Sequence, residues 1–402
     1  MAEYLLIGGG MASAHCAAEL RAKGAEGEIV LVGREPEPPY ERPPLSKEYL
    51  RGEQGPADLA LFPEDWYEDA GVERRLGVRV AALDTRAREI DLDDGNRLAY
   101  ERLLIATGGS PRRLAEPADR IVELRRLEDA TRLREHVRPG AKLVIVGAGF
   151  IGAEVAASAR SVGADVTMID PSEVPLRRAL GEEMGSVYAR IHSDHGVDLR
   201  LGEGVEKVES TADLARVTTT TGATIEGDAV VVGIGIVPNT GLAEEAGLDV
   251  DNGILVDAAC GTSADGVYAA GDVANHDHPL FGRIRVEHFD NALKMGAAAA
   301  RGMLGGEEPF DDPHWFWSDQ YDVNLQYAGF AATWDDVVIR GSVDALDFVA
   351  FYLLEGRLLA ALGMNRGREV RRSMKLIAAR ATPDPAALRD EDTDLRDLIP
   401  PP

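Results

Sequence analysis

Leu143-Val-Ile-Val-Gly147-Ala-Gly149-Phe-Ile151-Gly152-Ala-Glu154-Val-Ala-Ala-Ser-Ala159, followed after a short gap by Asp165-Val-Thr-Met-Ile-Asp170, is the stretch that decides the fold. Its first apolar run is too short for a helix and reads as a buried strand. The glycines break that strand, an alanine-rich stretch continues as a helix, and a second apolar run completes a βαβ unit. The glycine spacing has a physical reason. Gly147 permits a tight turn, Gly149 lets a pyrophosphate approach the backbone, and Gly152 lets helix and strand pack closely. The helix N-terminus then offers unpaired N–H groups to phosphate.

The same pattern occurs near the start of the chain, where Tyr4-Leu-Leu-Ile-Gly8-Gly-Gly10-Met-Ala12-Ser13-Ala14 leads into Glu28-Ile-Val-Leu-Val-Gly33. Here Ser13 replaces the third glycine, a small change that Ala14 accommodates if it keeps the packing close. Two such units imply two bound nucleotides. In the second, Asp170 ends its strand where a carboxylate can accept both ribose hydroxyls, which favours NADH over NADPH. Leu103-Leu-Ile-Ala106-Thr107-Gly108 and Gly266-Val-Tyr-Ala-Ala270-Gly271-Asp272 are further strands that end in glycine turns.

The 402 residues include 43 Lys and Arg against 69 Asp and Glu, a formal net charge of −26. Such an acidic surface disfavours sequence-independent binding to nucleic acid or to an anionic membrane. Only Cys16 and Cys260 are present, so there is no disulfide framework, no Cys-x-x-Cys pair and no cysteine-rich metal site. With no signal-peptide pattern at the N-terminus and no apolar run long enough to span a bilayer, a cytoplasmic protein is expected.

Taken together, the two glycine turns, Ala106-Thr107-Gly108 and Ala270-Gly271-Asp272 resemble the two-dinucleotide flavoproteins. More narrowly, Pro39-Tyr-Glu-Arg42-Pro-Pro-Leu-Ser-Lys47, Glu287-His288-Phe289-Asp-Asn291 and Trp315-Phe-Trp317-Ser-Asp-Gln320 resemble the ferredoxin and rubredoxin reductases of oxygenase systems, relatives of apoptosis-inducing factor. The resemblance covers essentially the whole chain. It implies an α/β fold with two Rossmann-like dinucleotide-binding domains, one for FAD and one for NADH, and a C-terminal α+β domain. The FAD-binding domain is split into 1–110 and 235–310, the NADH-binding domain spans 111–234, and the C-terminal reductase domain 311–402.

The resemblance also implies roles. Lys47 and Glu154 meet as an ion pair beside the flavin. Arg42, Val80, Arg125, Asp272 and the backbone near Phe289 contact FAD, Glu287 and His288 border the nicotinamide side, and Trp317 lies at the rim. Ile151 and Gly235 join the candidate cofactor contacts. Three positions depart from the family pattern: Arg34 stands where many relatives carry the ribose-binding acid, with Glu35 next in line; Met295 replaces a polar residue; and His288 occupies a position often aromatic.

The stretch around Lys47 contains no thiol pair, so electrons leave directly from the flavin, as suits a [2Fe–2S] ferredoxin. Arg366-Gly-Arg368-Glu-Val-Arg371-Arg372-Ser-Met-Lys375 sets five basic residues against one acid and is a candidate docking patch for that partner. The reading is an NADH-dependent ferredoxin reductase, monomeric or homodimeric, serving a cytochrome P450 or a Rieske-type oxygenase. An NADH oxidase or quinone reductase and an NADH-sensing flavoprotein remain as alternatives.

Overall fold

The computed structural model describes residues 2–116 and 118–401. The first glycine turn joins β1 (Ala2–Ile7) to α1 (Met11–Ala22), and β2 (Ile29–Gly33) returns beside β1 in parallel. On the other side of β1 lies β3 (Arg97–Ile105), also parallel. Leu5, Leu6 and Ile7 are at most 4% exposed, and so are the matching residues of β2, because helices and loops cover both faces. Burial of each such side chain contributes about 1.5–3 kcal/mol.

The second unit repeats this plan. Its sheet is built on β4 (Lys142–Val146) and β5 (Asp165–Asp170), joined by α2 (Phe150–Val162). After α3 (Arg177–Asp194) and an antiparallel three-stranded meander, β6 (Ala229–Val232) pairs with β4. α2 packs on one face of this sheet and the meander covers the other.

Two strands tie the units together: Gly109–Pro111 and Ile236–Pro238 pair antiparallel where the chain leaves the first sheet and where it comes back. The chain then adds β7 (Val267–Ala269) to the first sheet, beside β3, and packs α4 (Phe289–Met303) against α1. A Cβ at Gly296 of α4 would collide with the Ala12 carbonyl, so the close helix contact in this unit is made by a glycine from far along the chain.

The C-terminal part is one antiparallel sheet of β8 (Trp315–Gln320), β9 (Val323–Gly329), β10 (Asp336–Ser342), β11 (Asp347–Leu354) and β12 (Arg357–Met364), followed by α5 (Gly367–Ala378). α5 covers one face. The other is covered by α3, which belongs in sequence to the second nucleotide unit. The break in α3 at Gly181, φ +82°, receives the Trp334 ring, and the Tyr352 hydroxyl donates to the Leu180 carbonyl at 2.9 Å. The expected fold class is therefore the one observed.

The C-terminal stretch from Ala381, rich in Pro and Asp, reads in sequence as a loose tail; the structure corrects this. The buried Arg340 guanidinium donates to the carbonyls of Asp390, Glu391 and Thr393 at 2.7–2.9 Å, and Leu388 and Leu395 are buried beneath.

Candidate active site

A cleft of about 590 Å³ opens between the first sheet, α2 and the edge of the C-terminal sheet. Gly8, Gly10 and Ala12 line one end. Gly8, at φ +124°, packs so closely on the Ala106 carbonyl that no Cβ fits, whereas a Cβ at Gly10 would meet nothing within 4 Å. Gly10 is the N-cap of α1 and no side chain caps the helix, so its first N–H groups face the cleft. Ser13 and Ala14 are fully buried away from it. Their side chains serve packing.

Around this end stand Arg34, Glu35, Arg42, Val80, Arg125 and Asp272. Glu35 is already engaged on both oxygens: one accepts from Arg42 at 2.6 Å and the other from the Tyr40 hydroxyl at 2.5 Å. Asp272 likewise pairs with Arg125 at 2.7 Å. Ala106, Thr107 and Gly108 line the cleft beside Asn239, whose side-chain amide donates to the Thr107 carbonyl at 2.7 Å. Sequence reasoning missed Asn239, a lone polar residue in a loop.

At the centre, Lys47 Nζ lies 2.7 Å from Glu154 Oε2, with the two residues 4% and 5% exposed. Pro43 and Pro44 open a short 3-10 turn whose buried Leu45 and Ser46 anchor Lys47 against α2. Glu154 accepts two further bonds, from Ser46 Oγ at 2.5 Å and Ser318 Oγ at 2.7 Å. Neither serine was expected. A buried ion pair tolerates desolvation only when its remaining lone pairs are satisfied, and these hydroxyls do that.

The second glycine turn lies outside the cleft. Gly147, at φ +103°, packs on the Gly233 carbonyl and Gly152 packs on Gly147, while Gly149 caps α2 without a side-chain bond. Asp170 also braces the turn: its two oxygens accept from the backbone N–H groups of Ala148 and Ser172 at 2.7 and 2.8 Å, which leaves further lone pairs on each. Gly235, at φ +95°, sits in the linking ribbon, where its carbonyl accepts from Arg112 N. α2 starts at this second turn and then lines the cleft with Ile151, 43% exposed, and Glu154. One helix thus serves both nucleotide cradles.

Glu287, His288, Phe289 and Trp317 form the far wall. Glu287 pairs with Arg285 at 2.7 Å. The His288 ring sits 4.3 Å from Phe316, and desolvation lowers its pKa to about 4, so it is neutral at pH 7. Phe289 opens α4, whose N-terminus also lacks a side-chain cap, and its ring meets Trp317 edge-on at 5.4 Å. Trp315 stacks beside Trp317 at 5.3 Å and packs into the C-terminal core. Met295 is apolar because it is buried, 1% exposed, against α1 and Cys260. No cysteine lines the cleft, and burial pushes both thiols up.

The basic segment is only partly available. Arg366 pairs with Asp347 and Glu391 at 2.8 Å, and Arg372 lies 3.5 Å from Asp394. Arg368, Arg371 and Lys375 are exposed, make no ion pair among the described residues, and at spacings of three and four share one face of α5.

The family model described as pyridine nucleotide-disulphide oxidoreductase matches residues 2–296, and one described as reductase C-terminal matches 315–399. The chain belongs to the pyridine nucleotide-disulphide oxidoreductase family. This oxidoreductase is 39% identical, over 98% of its length and 99% of the relative's, to the anthranilate 1,2-dioxygenase system ferredoxin–NAD(+) reductase component of Burkholderia cepacia. It is 38% identical, over 98% of its length and 93% of the relative's, to rhodocoxin reductase of Rhodococcus erythropolis. Its fold matches the reductase of a covalent putidaredoxin reductase–putidaredoxin complex with a TM-score of 0.95 and 36% identity, covering 99% and 98% of the two chains. Among the described residues no helix is long and apolar enough to cross a membrane.

Proposed function

We propose that this oxidoreductase is an FAD-containing, NADH-dependent ferredoxin reductase that passes electrons to a [2Fe–2S] ferredoxin serving a cytochrome P450 or a Rieske-type oxygenase. The observation that carries this reading is the buried Lys47–Glu154 pair on a dinucleotide-sized cleft that contains no cysteine. Without a thiol pair to relay electrons, their exit is direct, to an acceptor that docks at the cleft mouth. The names of the relatives, ferredoxin–NAD(+) reductase and rhodocoxin reductase, support the same acceptor class.

The residues fit the cofactors. The open N-terminus of α1 at Gly10 and the guanidinium groups of Arg34, Arg42 and Arg125 suit the pyrophosphate of FAD. Gly147, Gly149 and Gly152, with Asp170 bracing the turn, suit NADH, and the Asp170 charge disfavours a 2′-phosphate there. On this reading 1–110 and 235–310 bind FAD, 111–234 binds NADH, and 311–402 closes the cleft. The protein works in the reducing cytoplasm, where its two thiols stay free.

FAD, when bound, accepts a hydride and returns its electrons to a one-electron acceptor. Lys47 brings positive charge to that cofactor as it becomes electron-rich, and the open N-terminus of α4 adds to it. Glu154 orients Lys47. His288, being neutral, adds a ring surface without a charge. Lys47→Ala should slow reduction by NADH by about a hundredfold or more, the order expected for loss of one electrostatic stabiliser. Stopped-flow reduction at the unaltered rate would contradict the assignment.

The exposed face of α5 is the proposed docking surface, because Gly367 packs on the side chain of Gln326, which pairs across the sheet with Trp317. The basic face therefore begins beside the strand pair that carries the rim tryptophan.

A further inference from the structure

The hydrogen bonds at Glu154 do not stop with the serines that touch it. Gln320 Nε2 lies 3.1 Å from Ser318 Oγ, His192 Nε2 lies 3.0 Å from Gln320 Oε1, and the Tyr321 hydroxyl lies 3.1 Å from His192 Nδ1. Ser318, Gln320 and His192 are at most 1% exposed. They come from β8 and α3, whereas Glu154 comes from α2. The chain thus runs from the cleft, through the seam between the second nucleotide unit and the C-terminal sheet, to a hairpin at the surface.

Its direction follows from valence alone. An ionised carboxylate only accepts, so Ser318 must donate to Glu154. Ser318 Oγ then accepts from the only donor Gln320 has, its amide nitrogen, which turns the amide oxygen toward His192. That oxygen needs a proton on His192 Nε2. With desolvation lowering the His192 pKa to about 4, the ring is neutral and Nδ1 is left to accept from Tyr321. Every group donates toward Glu154.

Two details separate this from incidental packing. Tyr321, in the two-residue turn of this hairpin, has φ +59°, a left-handed conformation uncommon for a non-glycine residue. It is held there with its ring stacked on His195 at 3.6 Å, which places the hydroxyl on His192. Gln320 also rules out a proton relay, since an amide nitrogen has no lone pair with which to take up a proton and pass it on. What such a chain can do is hold a charge.

We propose that Ser318, Gln320 and His192 are positioning residues: a one-way series of donors that fixes the Glu154 carboxylate, and through it the Lys47 ammonium, against the cofactor in the cleft. The proposal rests on the reading above that this cofactor is a flavin. A change at His192, which touches neither Lys47 nor the cleft, is then felt as a change in how readily the flavin is reduced.

The test is the midpoint potential of the bound flavin, titrated anaerobically against a redox dye in the holoenzyme. Lys47→Met should make it more negative, and Gln320→Leu and His192→Leu should move it the same way. A tenfold change in the reduced-to-oxidised ratio is read as about 30 mV for a two-electron couple. His192→Gln, which keeps an N–H donor toward Gln320, should recover most of the shift. Ser318→Ala, which removes a single oxygen, carries the test should the larger changes prevent folding, and should shift the potential like Gln320→Leu. A shift in Lys47→Met with none in the Ser318, Gln320 and His192 variants would overturn the proposal alone. A protein that binds no flavin would overturn the flavin reading and this inference together, whereas a flavin-bound Lys47→Met variant of unaltered potential would overturn the role given to Lys47, and with it this inference, but not the flavin reading.

Discussion

Lys47 and Glu154 have left water to face each other, and the energetics of that choice are specific. Two buried ions recover their hydration through each other, with the hydroxyls of Ser46 and Ser318 donating to Glu154 and the Pro43 carbonyl accepting from Lys47, so removing one ion leaves the other without its countercharge. Glu154→Ala should destabilise the protein by about 3–5 kcal/mol in chemical denaturation. The double variant Lys47→Met/Glu154→Leu should regain most of that stability while reduction by NADH stays slow. Equal slowness with equal instability in both variants would mean that the pair is a structural brace only. Lys47 and Glu154 were legible because both stand inside motifs. Ser318, 164 residues from Glu154, was not: a serine in a strand carries no periodic signal for a partner so distant. Asp170 was legible as a strand-ending carboxylate, but its duty to the Ala148 and Ser172 amides depends on turn geometry that spacing does not encode.

Elements show which side chains must stay uncharged for the seams to hold. The strand Ala274–His278 carries His276 and His278, whose rings lie 5.3 Å apart, and His278 packs on His314 at 4.7 Å, with Phe310 against all three. Desolvation lowers His278 to about 4 and holds His276 and His314 down as well. Unfolded, these rings titrate near about 6.5. Above that pH both states are neutral and the cluster's contribution is intact. As pH falls, the unfolded chain takes up protons that the folded one refuses, so stability is lost between about 6.5 and 4. For His278 alone the loss reaches roughly 3 kcal/mol. The melting temperature should fall from pH 7 to pH 5, with a shallower fall in His278→Gln; a flat profile would contradict the cluster's neutrality. The glycine turns and their βαβ units were legible because strand, turn and helix are local. The placement of α3 on the C-terminal sheet was not, since an amphipathic helix does not say which sheet it will cover.

At the scale of the whole molecule, a net charge of −26 must still let an acidic ferredoxin approach. Composition alone argues against it, and the sequence offered five basic residues in one segment as a remedy. Two of these, Arg366 and Arg372, are spent on acids of the C-terminal sheet and tail, which leaves Arg368, Arg371 and Lys375 on one exposed helical face. Arg368→Glu/Arg371→Glu should lower kcat/KM for ferredoxin about tenfold at low ionic strength and flatten its salt dependence, with reduction by NADH unaffected. An unaltered salt dependence would place docking elsewhere.

On the proposed function, electrons pass from NADH through a bound flavin to a one-electron carrier. The most direct measurement follows the purified protein by anaerobic stopped flow with NADH, then in steady state with a [2Fe–2S] ferredoxin and cytochrome c as final acceptor. Rapid bleaching of the flavin band and cytochrome reduction that depends on ferredoxin are the expected results. Slow bleaching with a persistent long-wavelength band, or cytochrome reduction indifferent to ferredoxin, would contradict it.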